Sequence, residues 1–113
     1  MHELSLAFSV VELLEEQSKS QTFKRVTDVW IDIGALACIE PQALESGLRS
    51  ASQGTLAQGA RFHLRTQPAS AWCFECQQPF STPHHRGDCP RCGSHQIQVA
   101  KGDEMRLKEI AVE

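Results

Sequence analysis

Between residues 4 and 17 the apolar positions recur at helical spacing: Leu4, Phe8, Val11 and Leu14 form a stripe that Leu6, Val10 and Leu13 widen. Glu12, Glu15 and Glu16 fall on or near the outer face, and a polar run over residues 18–22 ends the pattern. The period then changes to two. Over residues 25–33, Thr27, Val29, Ile31 and Ile33 alternate with Asp28, Trp30 and Asp32, and the β-branched content predicts a half-buried strand. After a small-residue connection at 34–39, Glu40-Pro41 opens a second helix. Proline loses nothing at a first helical position, where its missing N–H has no acceptor, and the Glu40 charge complements the helix dipole. Ala43, Leu44, Gly47, Leu48 and Ala51 make its apolar stripe, with Gly54 as terminator. A second strand is predicted at 60–65, with Ala60, Phe62 and Leu64 inward and Arg61, His63 and Arg65 outward. A third occupies 105–112, where the alternation slips at Glu109-Ile110 as at a bulge or sheet edge.

The stretch between the last two strands has another character. Cys73-Phe74-Glu75-Cys76 and Cys89-Pro90-Arg91-Cys92 are two Cys-x-x-Cys pairs separated by the twelve residues 77–88. A two-residue spacing lets a tight turn present both sulfurs to one ion, and two such turns close a tetrahedral Zn²⁺ shell with no position left for catalysis. Pro90 stiffens the second turn and Gly93 permits the φ > 0 conformation after it, whereas Gln77 stands at the matching place of the first. Two disulfides are the alternative, but Met1-His2-Glu3 opens no basic and apolar export signal. Four buried thiolates around zinc contribute about 10–16 kcal/mol to folding such a segment, far more than its few apolar side chains. The fifth cysteine, Cys38, reads as a small buried hydrophobe.

The predicted class is therefore α+β: a small two-helix, three-strand, two-layer domain (residues 1–68 plus 100–113) with an inserted four-cysteine zinc ribbon (69–99). At 113 residues, with 41% apolar and 22% charged residues, the composition is that of a soluble domain, and a cytoplasmic location is the expectation. The apolar runs are too short to span a bilayer. From Cys73 to Cys92, Arg86 and Arg91 balance Glu75 and Asp88. Phosphate binding needs clustered Lys and Arg, so nucleic acid is disfavoured as a partner.

The first three residues hold a second set of donors. The α-amine, the His2 imidazole, the intervening amide and the Glu3 amide can form fused chelate rings, provided Met1 is the terminus. A planar nitrogen set suits Ni²⁺ or Cu²⁺ and not tetrahedral zinc. Spacing alone leaves a solvated, frayed His2 as the simpler reading.

Three features together, namely Met1-His2-Glu3-Leu4-Ser5, Val29-Trp30-Ile31-Asp32-Ile33-Gly34-Ala35 and the two cysteine pairs, closely resemble the HypA/HybF family of hydrogenase nickel-incorporation proteins. The match runs the length of the chain and includes Gly102-Asp103-Glu104-Met105-Arg106-Leu107. The resemblance implies a metallochaperone with nickel as transient cargo. His2 would be the principal nickel ligand, Met1 and Glu3 would supply terminal and backbone nitrogens, and Cys73, Cys76, Cys89 and Cys92 would hold structural zinc. Glu40 matches an acidic position close to the nickel in some relatives. Where some relatives carry a histidine after each cysteine pair, this chain has Gln77 and Gly93, and His84, His85 and His95 lie elsewhere.

The implied function is delivery of Ni²⁺ to the large-subunit precursor of a [NiFe] hydrogenase with a HypB-type GTPase partner. The chain has no phosphate-binding Gly-x-x-x-x-Gly-Lys-[Ser/Thr] motif of its own, and no base and nucleophile constellation that would make it an enzyme. The competing reading is a zinc-ribbon adaptor or interaction module without nickel cargo. Urease as a second target, and a homodimer formed by exchange of the ribbon or last strand, are left open.

Overall fold

The computed structural model describes residues 2–82 and 88–113, apart from the side chains of His2, Ala100 and Lys101. His84 and His85 lie outside the described residues, as do Met1 and the His2 side chain. The elements in chain order are α1 (His2–Gln21), β1 (Val26–Gly34), α2 (Pro41–Ser52), β2 (Arg61–Gln67), β3 (Ala69–Cys73), β4 (Gln78–Thr82), β5 (Ile97–Lys101) and β6 (Met105–Val112). One three-stranded sheet has the order β2-β1-β6 and the other β4-β3-β5. The α+β class with an inserted cysteine ribbon is thus the observed architecture. The chain forms two compact units: Met1–Ile31, Ile39–Arg65 and Leu107–Glu113 in the first, Asp32–Cys38 and Thr66–Arg106 in the second.

In the first unit the core is Ala7, Val10, Val11 and Leu14 of α1, Val26, Val29 and Ile31 of β1, and Leu44, Leu48 and Ala51 of α2. Gly47 sets the approach of the two helices, since a Cβ there would lie 3.3 Å from that of Ala7. The buried stripe of α1 is rotated from the expected one. Leu4 and Phe8, expected inward, are each 52% exposed, and Leu13 is exposed too. Ala7 takes the inner place because only a small side chain fits where the helices close. Ala43 is likewise exposed.

Helix α2 begins and ends for the expected reasons. Glu40 is its N-cap and accepts a hydrogen bond from the backbone N–H of Gln42 at 3.1 Å, Pro41 opens it, and Gly54 follows the cap at φ +75°. Strand β1 buries Val29, Ile31 and Ile33 as expected, but also Asp28. On β2 the expected inner residues Phe62 and Leu64 are only half-buried, as is His63, because β2 is an edge strand. The slip at Glu109-Ile110 also falls on an edge, β6.

In the second unit β3 is central, paired antiparallel with β4 and with β5. Its inner face is Ala69, Ala71 and Cys73. Gly34 and Gly102 meet backbone to backbone: a Cβ on Gly34 would lie 2.2 Å from the Gly102 carbonyl oxygen, and one on Gly102, at φ +138°, 2.5 Å from the Ala69 Cβ. The N–H of Gly34 donates to Glu104 O at 2.8 Å and that of Leu36 to Gly102 O at 2.7 Å. Cys38 overturns its expectation. It is exposed and left-handed at φ +57°, because the connection turns back there instead of continuing into the core.

Candidate metal centre

Cys73 ends β3, Cys76 follows in the turn to β4, and Cys89 and Cys92 flank the turn that precedes β5. The two turns are built alike. The N–H of Gln77 donates to Cys73 O at 2.8 Å, and the N–H of Gly93 to Cys89 O at 2.8 Å. Gln77 has φ +55° and Gly93 φ +74°, so the non-glycine residue adopts the left-handed conformation that the glycine adopts without cost. The N–H of Cys76 points at the Cys73 sulfur, 3.4 Å away, an orientation that stabilises a thiolate.

These turns bring all four sulfurs within 4.8 Å of one another. Cys73 Sγ lies 3.7 Å from Cys92 Sγ, and Cys76 Sγ 3.7 Å from Cys89 Sγ. Such distances are far beyond a disulfide bond of about 2.05 Å. A regular tetrahedron with bonds of about 2.3 Å has edges of about 3.8 Å, so these two cross-turn separations match the ligand spacing around a zinc-sized ion. Each contact joins one turn to the other, and neither turn could make the set alone.

The electrostatics are those of four acids competing for one place. The Cys76 thiol is pushed up to about 12, first by its contact with Cys92 and then by burial and its other two neighbours. Burial acts in the same sense on Cys89, but the N–H groups of Cys92 and Arg91 and the adjoining thiols more than offset it, bringing that thiol down to about 6. A divalent cation relieves the competition, since it replaces the protons and pairs with every thiolate.

At the other proposed site, α1 begins at His2, so the amides of its first turn have no carbonyl of the helix to donate to. The Glu3 carboxylate accepts the backbone N–H of Glu40 at 3.4 Å, and Glu40 turns its own carboxylate to Gln42. The N-cap role of Glu40 is therefore observed directly. No other group of three or more His, Cys, Asp or Glu side chains among the described residues is placed to share an ion.

The match to known proteins is full length. A family model described as "Hydrogenase/urease nickel incorporation, metallochaperone, hypA" matches residues 1–112. The chain belongs to the HypA family. It is 44% identical over 113 residues to the hydrogenase maturation factor HypA of Azotobacter vinelandii and 43% identical to the hydrogenase maturation factor HybF of Salmonella typhimurium, covering 100% of both chains in each case. The solution structure of the Ni metallochaperone HypA from Helicobacter pylori has the same fold, with a TM-score of 0.68 at 23% identity over 99% of this chain and 97% of that one. A second HypA solution structure gives 0.72 at 23% identity over 100% and 97%. The family is one of nickel-incorporation metallochaperones for hydrogenase maturation, not of enzymes.

Two features of this structure escaped the sequence reading. One is the left-handed Gln77, whose only signal is its place after a Cys-x-x-Cys pair, equivalent to that of Gly93. The other is a polar network of Asp28, Arg61 and His63, joining residues more than thirty positions apart. No helix among the described residues is long and apolar enough to cross a membrane.

Proposed function

We propose that this chain carries Ni²⁺ on Met1-His2-Glu3 and delivers it to the large-subunit precursor of a [NiFe] hydrogenase, together with a HypB-type GTPase. The observation that carries the reading is the start of α1 at His2, which leaves the first amides without intrahelical acceptors. The donors are the α-amine, the His2 imidazole and the amides of His2 and Glu3. A simple dication is disfavoured at the positive end of a helix. Amide deprotonation removes that objection, since two amidates neutralise Ni²⁺, and the amide protons are released as it binds. Glu3 ties the first turn of α1 to Glu40 through its carboxylate, and Glu40 would be an outer group of the nickel site.

Cys73, Cys76, Cys89 and Cys92 hold structural zinc in this reading. The fit of the sulfur spacing to a tetrahedral shell supports it. Zinc supplies a fixed cross-link between the two turns, whereas the nickel donors sit on a chain end that can be loaded and stripped without unfolding the body. The division explains why one chain carries two unlike sites.

Calorimetric titration of the zinc-loaded chain with Ni²⁺, beside its His2→Ala variant, tests the proposal. One nickel per native chain, and loss of that binding with His2→Ala, is the expected result. Equal binding by both would return the chain to the class of zinc-ribbon adaptors.

A further inference from the structure

A cleft of about 540 Å³ opens between α2 and the start of β2, lined among others by Glu45, Arg49, Ser52, Gln53, Arg61 and His63. Its size is that of a small-ligand pocket. Each arginine is held by a carboxylate without being consumed by it. Arg49 Nη2 donates to Glu45 Oε1 at 2.6 Å, and Arg61 donates through Nε and Nη2 to Asp28 at 3.1 and 3.2 Å. A guanidinium has five N–H donors, so most of those on Arg49 and some on Arg61 remain to be used. Both cations are more exposed than their partners: the Arg61 side chain is 76% exposed against 11% for Asp28, and Arg49 72% against 39% for Glu45.

Asp28 fixes this wall further by bonding His63 Nε2 at 2.8 Å, and the His63 ring stacks on Trp30 at 4.8 Å. The second, independent sign is Ser52. The residue is 2% exposed, yet its buried Oγ has no hydrogen-bond partner among the described residues. Buried hydroxyls without partners are uncommon in native proteins and call for an acceptor.

We propose that this cleft binds a carboxylate, gripped by the Arg49 and Arg61 forks with the Ser52 hydroxyl donating. Planar carboxylates match the guanidinium fork. Glu45 in the wall, against the two arginines, suits a monoanion better than a doubly charged phosphate. The ligand is either a free organic acid or an acidic side chain of a protein partner, and the site is independent of the nickel terminus.

The test is a titration of the zinc-loaded full chain with propionate, with an N-acetylated and C-amidated Gly-Glu-Gly peptide, and with inorganic phosphate, at constant ionic strength balanced by chloride. The side-chain N–H signals of Arg49, Arg61 and Gln53 are followed by NMR. Saturable shifts at all three are expected with a carboxylate, and phosphate should bind more weakly. Saturation by propionate identifies free acids as sufficient, and saturation by the peptide alone identifies a protein side chain. Arg49→Gln should weaken binding about ten-fold. Glu45→Gln should tighten it, by releasing Arg49. Ser52→Ala should raise thermal stability while lowering affinity, a combination that a purely structural serine would not give. Shifts no different from those with chloride, tighter binding of phosphate, or an Arg49→Gln variant that binds unchanged would overturn the proposal.

Discussion

The carboxylate of Glu3, in the first turn of α1, accepts the backbone N–H of Glu40, the N-cap of α2, at 3.4 Å. Residues 37 positions apart thereby tie the amino-terminal turn to the start of the second helix. Glu3→Ala should release that tie, raising hydrogen exchange of the Glu40 amide several-fold, with zinc content unchanged. Glu3→Gln, which keeps an acceptor oxygen, should restore most of the protection.

The two cysteine turns carry different residues at their left-handed position and should respond in opposite ways. Gly93→Ala meets no atom within 4 Å, but it puts a Cβ at φ +74° and should destabilise the ribbon by about 1 kcal/mol. Gln77→Gly relieves the same conformation at φ +55°, and thermal melts should find it neutral or stabilised by up to about 1 kcal/mol.

Removal of the metal should unfold one sheet and spare the rest of the core. β3, β4 and β5 bury mainly alanines with Cys73, too little apolar surface to hold three short strands. Chelation or Cys89→Ser should cost β3–β5 their dispersed amide signals, while signals from Val10, Leu14, Leu44 and Leu48 in the first unit persist. Persistence of the β3–β5 signals without metal would contradict the role given to zinc.

Gly102 tests the closeness of its backbone to Ala69. Gly102→Ala brings a Cβ to 2.5 Å from the Ala69 Cβ at φ +138°, and a loss of about 2–4 kcal/mol in denaturant melts is expected. This contact is the physical reason for glycine at position 102, and the backbone carbonyl of Gly102 is the reason for glycine at position 34. The sequence shows the two glycines but not that they meet.

Asp28 predicts an acid dependence with a definite sign. Its carboxyl is held below the usual range by hydrogen bonds from His63 and then Arg61, against the opposing effect of burial. A lowered folded pKa means stability that is present above the unfolded value of about 3.9 and lost as the pH falls through the folded value. Acid unfolding followed by the amide signals of β1 should show a shallower decline below about pH 4 in Asp28→Asn than in the native chain.

What was legible in the sequence follows from the range of the interactions. The ends of α2 were readable because Glu40, Pro41 and Gly54 act within a turn of themselves. The cysteine site was readable because the spacing of a ligand pair is itself the signal. Burial of Asp28 was not, since its partners lie on β2 at Arg61 and His63. The strands β3, β4 and β5 have five residues each and gain their register from pairing across the ribbon, so no alternation long enough to read marks them. Leu4 and Phe8 satisfy a helical stripe on paper, but the close approach at Gly47 gives the inner face to Ala7.

The most direct test of the central claim is a nickel titration of the zinc-loaded chain starting at Met1, beside one extended by two glycines before Met1, with pH varied in both. If the α-amine and the first amides are donors, the native chain takes up one Ni²⁺ with a planar-nitrogen absorption spectrum and with release of protons, and it loses affinity as the pH falls. The extended chain keeps its fold and zinc but loses that binding. Equal affinity and the same spectrum in the two chains would remove the terminus from the site and contradict the account.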